Sequence, residues 1–101
     1  MRKDFIESYK EFLNNWGYEA QALMAIEEMS ELTKELSKQY RKRKDYKEED
    51  LIEEIADVLN MVEQLEFYFG EEKVEKIREE KIERTKKRLE KFKELQGEQN
   101  G

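Results

Sequence analysis

Two octapeptides decide the fold of this chain: residues 25–32, AIEEMSEL, and residues 52–59, IEEIADVL. Both combine apolar residues at helical spacing with acidic residues at the edge of the apolar face. Each octapeptide carries two acids three residues apart, namely Glu28 and Glu31, then Glu54 and Asp57. Residues at this spacing lie on the same side of a helix, so each pair offers two carboxylates to one point in space.

The apolar spacing around these segments predicts an all-α, four-helix-bundle-like fold. The helices are expected over residues 3–14, 18–40, 48–69 and 71–95. Gly17 and Gly70 fall between predicted helices, and the chain has no proline to interrupt one. We expect residues 1–95 to form one domain and residues 96–101 to be a flexible tail.

The composition predicts self-association. Of the 101 residues, 46% are charged and 37% are hydrophobic, which leaves little apolar material for a core within one chain. We therefore expect a homodimer or a homotetramer. The longest apolar run, residues 22–26, is far too short to span a membrane, and no signal peptide is evident, so the sequence predicts a cytoplasmic protein without a membrane partner.

The residues that are absent narrow the possible chemistry. The chain has no histidine, which excludes Ser-His-Asp catalysis and HExxH zinc sites, and no cysteine, which excludes disulfides and thiolate metal sites. Carboxylate oxygens remain, and these suit hard cations. We expect Mg²⁺, with Mn²⁺ as the alternative and Ca²⁺ as a weaker one.

The two acidic pairs occupy equivalent positions on their helices. At about 100° per residue, Glu31 and Asp57 fall on the same side of Glu28 and Glu54 respectively, and the apolar residues fall on the other side. If the two stripes pack antiparallel, all four carboxylates can converge at one margin of the interface. Otherwise the acids form a solvated or salt-bridged edge of the bundle.

The two acidic motifs resemble those of the MazG-like nucleotide pyrophosphohydrolases of the all-α NTP pyrophosphatase group. Their pattern is EExxE, a spacer and ExxD, which here reads Glu27-Glu28-Met29-Ser30-Glu31, then 22 residues, then Glu54-Ile55-Ala56-Asp57. The resemblance extends over residues 16–89 and includes WGYEAQALMAIEEMSEL, EEIADVLNMVEQLEFYFG and the basic segment KIERTKKRL.

The resemblance implies Mg²⁺-dependent hydrolysis of a (d)NTP to a (d)NMP and pyrophosphate. It implies that Glu28, Glu31, Glu54 and Asp57 bind the metal, and that Lys81 and Arg84 face the substrate phosphates. Thr85 departs from the family pattern, which often has a second arginine there.

The residue types fit this chemistry without the family. Mg²⁺ is commonly held by a few carboxylates together with substrate phosphates and waters. Glu27 or Glu31 could take a proton from the attacking water as the catalytic base. Trp16 and Gln21, with Tyr18, are candidates for contacting the base or sugar of the nucleoside.

Two alternatives stay open. Residues 41–44, RKRK, have the charge of a nucleic-acid contact, but the net charge of −6 and the pI near 4.9 argue against a nucleic-acid partner. The chain could also be a non-catalytic helical interaction module whose acids keep it soluble. The fourth helix lacks a sustained heptad repeat, which counts against a coiled coil.

Overall fold

The computed structural model describes residues 1–98 in full and the helical backbone of residues 99 and 100. The described residues contain helices and no strand, so the predicted all-α fold is confirmed. A 3₁₀ turn at Lys3–Phe5 leads into α1 (Ile6–Trp16), which is followed by α2 (Tyr18–Tyr40), α3 (Glu48–Phe69) and α4 (Glu71–Asn100).

The helix boundaries agree with the sequence in the middle of the chain and differ at its ends. The predicted bounds of α2 and α3 are confirmed. Helix α1 continues two residues past Asn14, and α4 continues past Leu95 to Asn100. Flexibility of residues 96–101 stays a prediction, and the last residue of that predicted tail lies outside the described residues.

A single residue, Gly17, joins α1 to α2. Its backbone has φ 88°, in the left-handed region that side chains disfavour, and its N–H donates a 2.9 Å hydrogen bond to the carbonyl of Leu13. The chain therefore reverses within one residue, and this sharp connection keeps α1 beside α2.

The chain divides into two compact units, Met1–Tyr68 and Phe69–Gly101. The first unit contains α1, α2 and α3. In the second, α4 is a polar helix with side-chain ion pairs one turn apart, such as Arg78 with Glu75 at 2.7 Å and Lys86 with Glu83 at 3.0 Å. The prediction of one domain over residues 1–95 stays a prediction.

Helices α2 and α3 pair antiparallel within the first unit. The rings of Tyr18, at the start of α2, and Tyr68, near the end of α3, stack with centroids 4.5 Å apart. Further along, the side chains of Gln21 and Gln64 form a 2.7 Å hydrogen bond. These contacts set the antiparallel register of the two helices, which the acids need in order to meet.

The core of the described chain is small. Its buried apolar residues are Tyr9, Ala25, Leu51 and Met61. Many large apolar side chains on α2 and α3 are exposed, among them Leu23, Ile26, Met29, Leu36, Ile52, Ile55, Leu59 and Val62. This exposure agrees with the expectation that another copy covers these helices, and the homodimer or homotetramer stays a prediction.

Hydropathy gives one further finding about the helices. In the part of the chain that the structure describes, no helix is both long enough and apolar enough to cross a membrane.

Candidate metal centre and adjoining cavity

Three of the four predicted metal ligands meet in the structure. Carboxylate oxygens of Glu28 on α2 and of Glu54 and Asp57 on α3 all lie within 4.8 Å of one another. Glu28 and Glu54 are half-buried, and Asp57 is exposed at the mouth of the cluster. The acids therefore stand at the margin of the α2–α3 interface, where helical spacing placed them.

The pairing of α2 with α3 explains this convergence. Glu28 follows Gln21 by seven residues, and Asp57 precedes Gln64 by seven residues. Seven residues are about two helical turns, so in an antiparallel pair the Gln21–Gln64 hydrogen bond implies that Glu28 faces Asp57.

The fourth predicted ligand, Glu31, borders the cluster. Its side chain is exposed and is not among those whose oxygens meet within 4.8 Å. It still lies near enough for its charge to raise the pKa of both Glu28 and Glu54. The role of Glu31 as a ligand stays a prediction.

The proximity of the acids shifts the pKa of two of them upward. Burial is the largest cause for Glu28, followed by the charge of Asp57 and a hydrogen bond with it. Burial also comes first for Glu54, whose pKa is raised further by the charges of Asp57 and Glu31. Each shift means that the surroundings disfavour a negative charge at that position.

The donor set fits a hard divalent cation. Oxygen Oε2 of Glu54 is buried and has no hydrogen-bond partner within the described chain. A buried carboxylate oxygen in that state is costly unless a cation or a proton satisfies it. Carboxylate oxygens that lie within 4.8 Å of one another are near enough to share one cation, and Mg²⁺ prefers oxygen ligands.

An apolar cavity of about 470 Å³ adjoins the cluster. Glu28 and Asp57 form part of its wall, which places the acids at one side of the space. The ring of Trp16 stacks on that of Phe12 with centroids 5.5 Å apart. The other lining residues are Ala20, Gln21, Met24, Asn60, Met61 and Gln64.

The remaining predicted site residues differ in their position. Trp16 and Gln21 line the cavity beside the acids. Glu27 is exposed on α2, next to Glu28 in sequence. Lys81 and Arg84 are exposed on α4, which belongs to the second compact unit, and their contact with substrate phosphates stays a prediction.

Sequence reasoning missed Gln64, Asn60 and Phe12 as cavity residues. The positions of Gln64 and Asn60 follow from the antiparallel register, since once Glu28 is placed opposite Asp57, Gln21 must lie opposite Gln64. Phe12 belongs to the apolar stripe of α1, where nothing distinguishes a cavity residue from a core residue.

Comparison with protein-family models, curated proteins and solved structures gives no significant match. The functional conclusion therefore depends on the geometry of the acidic cluster and the cavity.

Proposed function

We propose that this chain is a divalent-metal-dependent nucleoside triphosphate pyrophosphohydrolase, which converts a (d)NTP to a (d)NMP and pyrophosphate. One observation carries the proposal: the carboxylates of Glu28, Glu54 and Asp57 meet beside an apolar cavity that has an aromatic wall. A triphosphate needs a cation, a nucleoside needs a flat apolar surface, and here the two features adjoin.

Glu28, Glu54 and Asp57 would hold the cation, with Glu31 joining them when the charge is neutralised. Bound there, Mg²⁺ or Mn²⁺ would supply positive charge to the phosphoryl oxygens and lower the pKa of a water molecule. The carboxylates leave room for substrate oxygens because they come from one side only, α2 and α3. This arrangement suits Mg²⁺, which usually shares its coordination between protein, phosphate and water.

The cavity would bind the nucleoside. Trp16 is 65% exposed and stacks on Phe12, so a large part of its ring surface is accessible. A base stacked on an aromatic ring gains about 1–3 kcal/mol. The side-chain amide of Asn60 supplies a hydrogen-bond donor and an acceptor in the same cavity, and the paired Gln21 and Gln64 form part of its wall.

In the reaction, water attacks the α-phosphorus and the bond from that phosphorus to the bridging oxygen of pyrophosphate breaks. Glu31 would accept the proton of the water, since it is exposed and borders the cluster. Glu27 is the alternative base. Contact of Lys81 and Arg84 with the pyrophosphate stays a prediction of the sequence.

The test is pyrophosphate release from the four NTPs and the four dNTPs, each with Mg²⁺ and with EDTA. Chromatography of the nucleotide product distinguishes release of pyrophosphate from release of phosphate. We expect a (d)NMP as the product, with release that depends on Mg²⁺.

The matched variants are Glu54→Gln and Glu53→Gln, which remove the same charge from neighbouring positions. Glu54 belongs to the cluster, whereas Glu53 is exposed. Activity should fall at least about a hundredfold in Glu54→Gln and change little in Glu53→Gln. Absence of release across the whole panel, or release that EDTA does not affect, would favour the non-catalytic helical interaction module.

A further inference from the structure

A second cavity, lined by basic residues, lies where α2 ends. Its volume is about 360 Å³, and it is lined by Lys34, Ser37, Lys38, Arg41, Arg43 and Asp45. We propose that this basic cavity binds a small phosphate-bearing anion such as pyrophosphate or the phosphate chain of a nucleotide. This proposal goes beyond the hydrolytic function and does not depend on it.

The local charge favours an anion. Residues 34–47 contain seven lysines or arginines and two acids, a net charge of +5 in a chain whose net charge is −6. The rest of the chain is therefore acidic in sum, although residues 84–93 of α4 form a second basic segment with a net charge of +5. A basic segment attracts multivalent anions.

The acids of the cavity neutralise only part of this charge. Asp45 pairs with Arg43, Nε to Oδ1 at 3.0 Å, and lies 3.9 Å from Nζ of Lys38. Nζ of Lys38 also contacts Glu35 at 3.1 Å. Lys34 and Arg41 line the same cavity and make no ion pair within the described part of the chain. Two cations thus remain available to a ligand.

The backbone fixes the positions of these side chains. Lys42 has φ 53°, a left-handed conformation that residues other than glycine disfavour. The N–H of Arg41 donates to the carbonyl of Ser37 and that of Arg43 to the carbonyl of Lys38, each at 3.0 Å. This Schellman-type turn fixes the backbone from which Arg41 and Arg43 extend, and both side chains line the cavity.

Attraction to the carboxyl end of a helix explains only some of these cations. It stabilises positive charge within the last turn, which accounts for Lys38 and Arg41. It does not account for Arg43, which lies beyond the helix, or for the presence of four cations around one space. Guanidinium groups bind phosphate through paired hydrogen bonds, and lysine adds a point charge. A volume of about 360 Å³ suits a small anion better than a nucleic-acid strand.

The experiment is a calorimetric titration of the full chain with pyrophosphate in metal-free buffer containing EDTA. Under these conditions the carboxylate cluster repels pyrophosphate, so binding there does not contribute. The test variant is Lys34→Gln/Arg41→Gln. The matched control is Lys3→Gln/Lys10→Gln, which removes the same charge from residues that do not line the cavity. Circular dichroism checks that both variants are folded.

We expect saturable binding of one pyrophosphate per chain, weakened at least about tenfold in the test variant and less than about twofold in the control. Glu28→Gln should leave this binding unchanged, which separates it from the hydrolytic site. ATP and adenosine distinguish the source of the phosphate. If ATP binds as tightly as pyrophosphate and adenosine does not bind, the phosphate chain of a nucleotide is a ligand. If pyrophosphate alone binds, the ligand is the free anion.

Three results would overturn the proposal. One is the absence of pyrophosphate binding at millimolar concentration. Another is equal weakening in the test and control variants, which would indicate a general charge effect. The third is a single-stranded oligonucleotide that binds much more tightly than pyrophosphate, because the surface would then be a nucleic-acid contact.

Discussion

Gln21 on α2 donates a 2.7 Å hydrogen bond from its side-chain amide to Oε1 of Gln64 on α3. Both residues are nearly enclosed, with 5% and 3% of their surface exposed. A buried amide pair is satisfied in one register of the two helices and loses its partner in others. The pair therefore helps to fix the register that brings Glu28 to Asp57, about two turns away.

Replacement of Gln21 alone should destabilise the protein. Gln21→Ala leaves a buried acceptor on Gln64 without its donor, and we expect the free energy of unfolding to fall by about 1–3 kcal/mol. Gln21→Leu/Gln64→Leu removes both polar groups and should cost less than the single change. Urea denaturation measures both, with the exposed Gln39→Ala as control. If Gln21→Ala is no more harmful than Gln39→Ala, the pair does not hold the register.

The acidic cluster should make the metal-free protein less stable as the pH rises. The folded state raises the pKa of Glu28 above the ordinary value of 4.5, mainly through burial and next through Asp57. The folded state then binds the proton more tightly than the unfolded state, so stability is greatest below pH 4.5 for this group and falls as the pH rises through the raised pKa.

In EDTA, Glu28→Gln should therefore flatten the decline of the melting temperature between about pH 4.5 and pH 7 and raise the melting temperature at pH 7. The exposed neighbour provides the control Glu27→Gln. Differential scanning calorimetry across this range measures both variants. A wild-type and a Glu28→Gln protein with parallel pH profiles would show that the cluster does not destabilise the fold.

The sequence predicts those parts of the structure that follow from a clear helical period. The bounds of α2 and α3 and the meeting of Glu28, Glu54 and Asp57 follow from helical periodicity, because both helices carry a clear apolar stripe. The burial of Gln64 and the contribution of Phe12 to the cavity wall do not follow from the helical period, because they depend on how the helices pack. The helical period also does not show that Glu31 lies outside the group of acids whose oxygens meet.

Nucleotide binding should quench the fluorescence of the protein. Trp16 is the single tryptophan of the chain and lines the cavity beside the acids. A base stacked on its ring would quench the emission. We expect saturable quenching by the preferred (d)NTP with Mg²⁺ and none by tripolyphosphate. Equal quenching by tripolyphosphate would show that the base does not reach Trp16.

The exposed apolar residues of α3 should lie in an interface between copies. Ile52 and Leu59 are each 58% exposed and lie two turns apart on one side of the helix. Light scattering after size-exclusion chromatography should show a dimer or tetramer, and Ile52→Glu/Leu59→Glu should dissociate it. Losing burial of both side chains costs about 3–6 kcal/mol of association free energy. The control is Thr33→Glu, at an exposed polar position. Weak dimers still persist at roughly 100 µM, so a wild-type protein that is monomeric at this concentration would contradict the prediction.

The most direct test of the central claim is Mn²⁺ binding, followed by the electron paramagnetic resonance signal of the free ion. Wild-type protein is compared with Glu54→Gln and with Glu53→Gln. We expect saturable binding by the wild type, binding at least about tenfold weaker in Glu54→Gln, and a change of less than about threefold in Glu53→Gln. Equal affinity in all three proteins would contradict the claim that Glu28, Glu54 and Asp57 form a metal site.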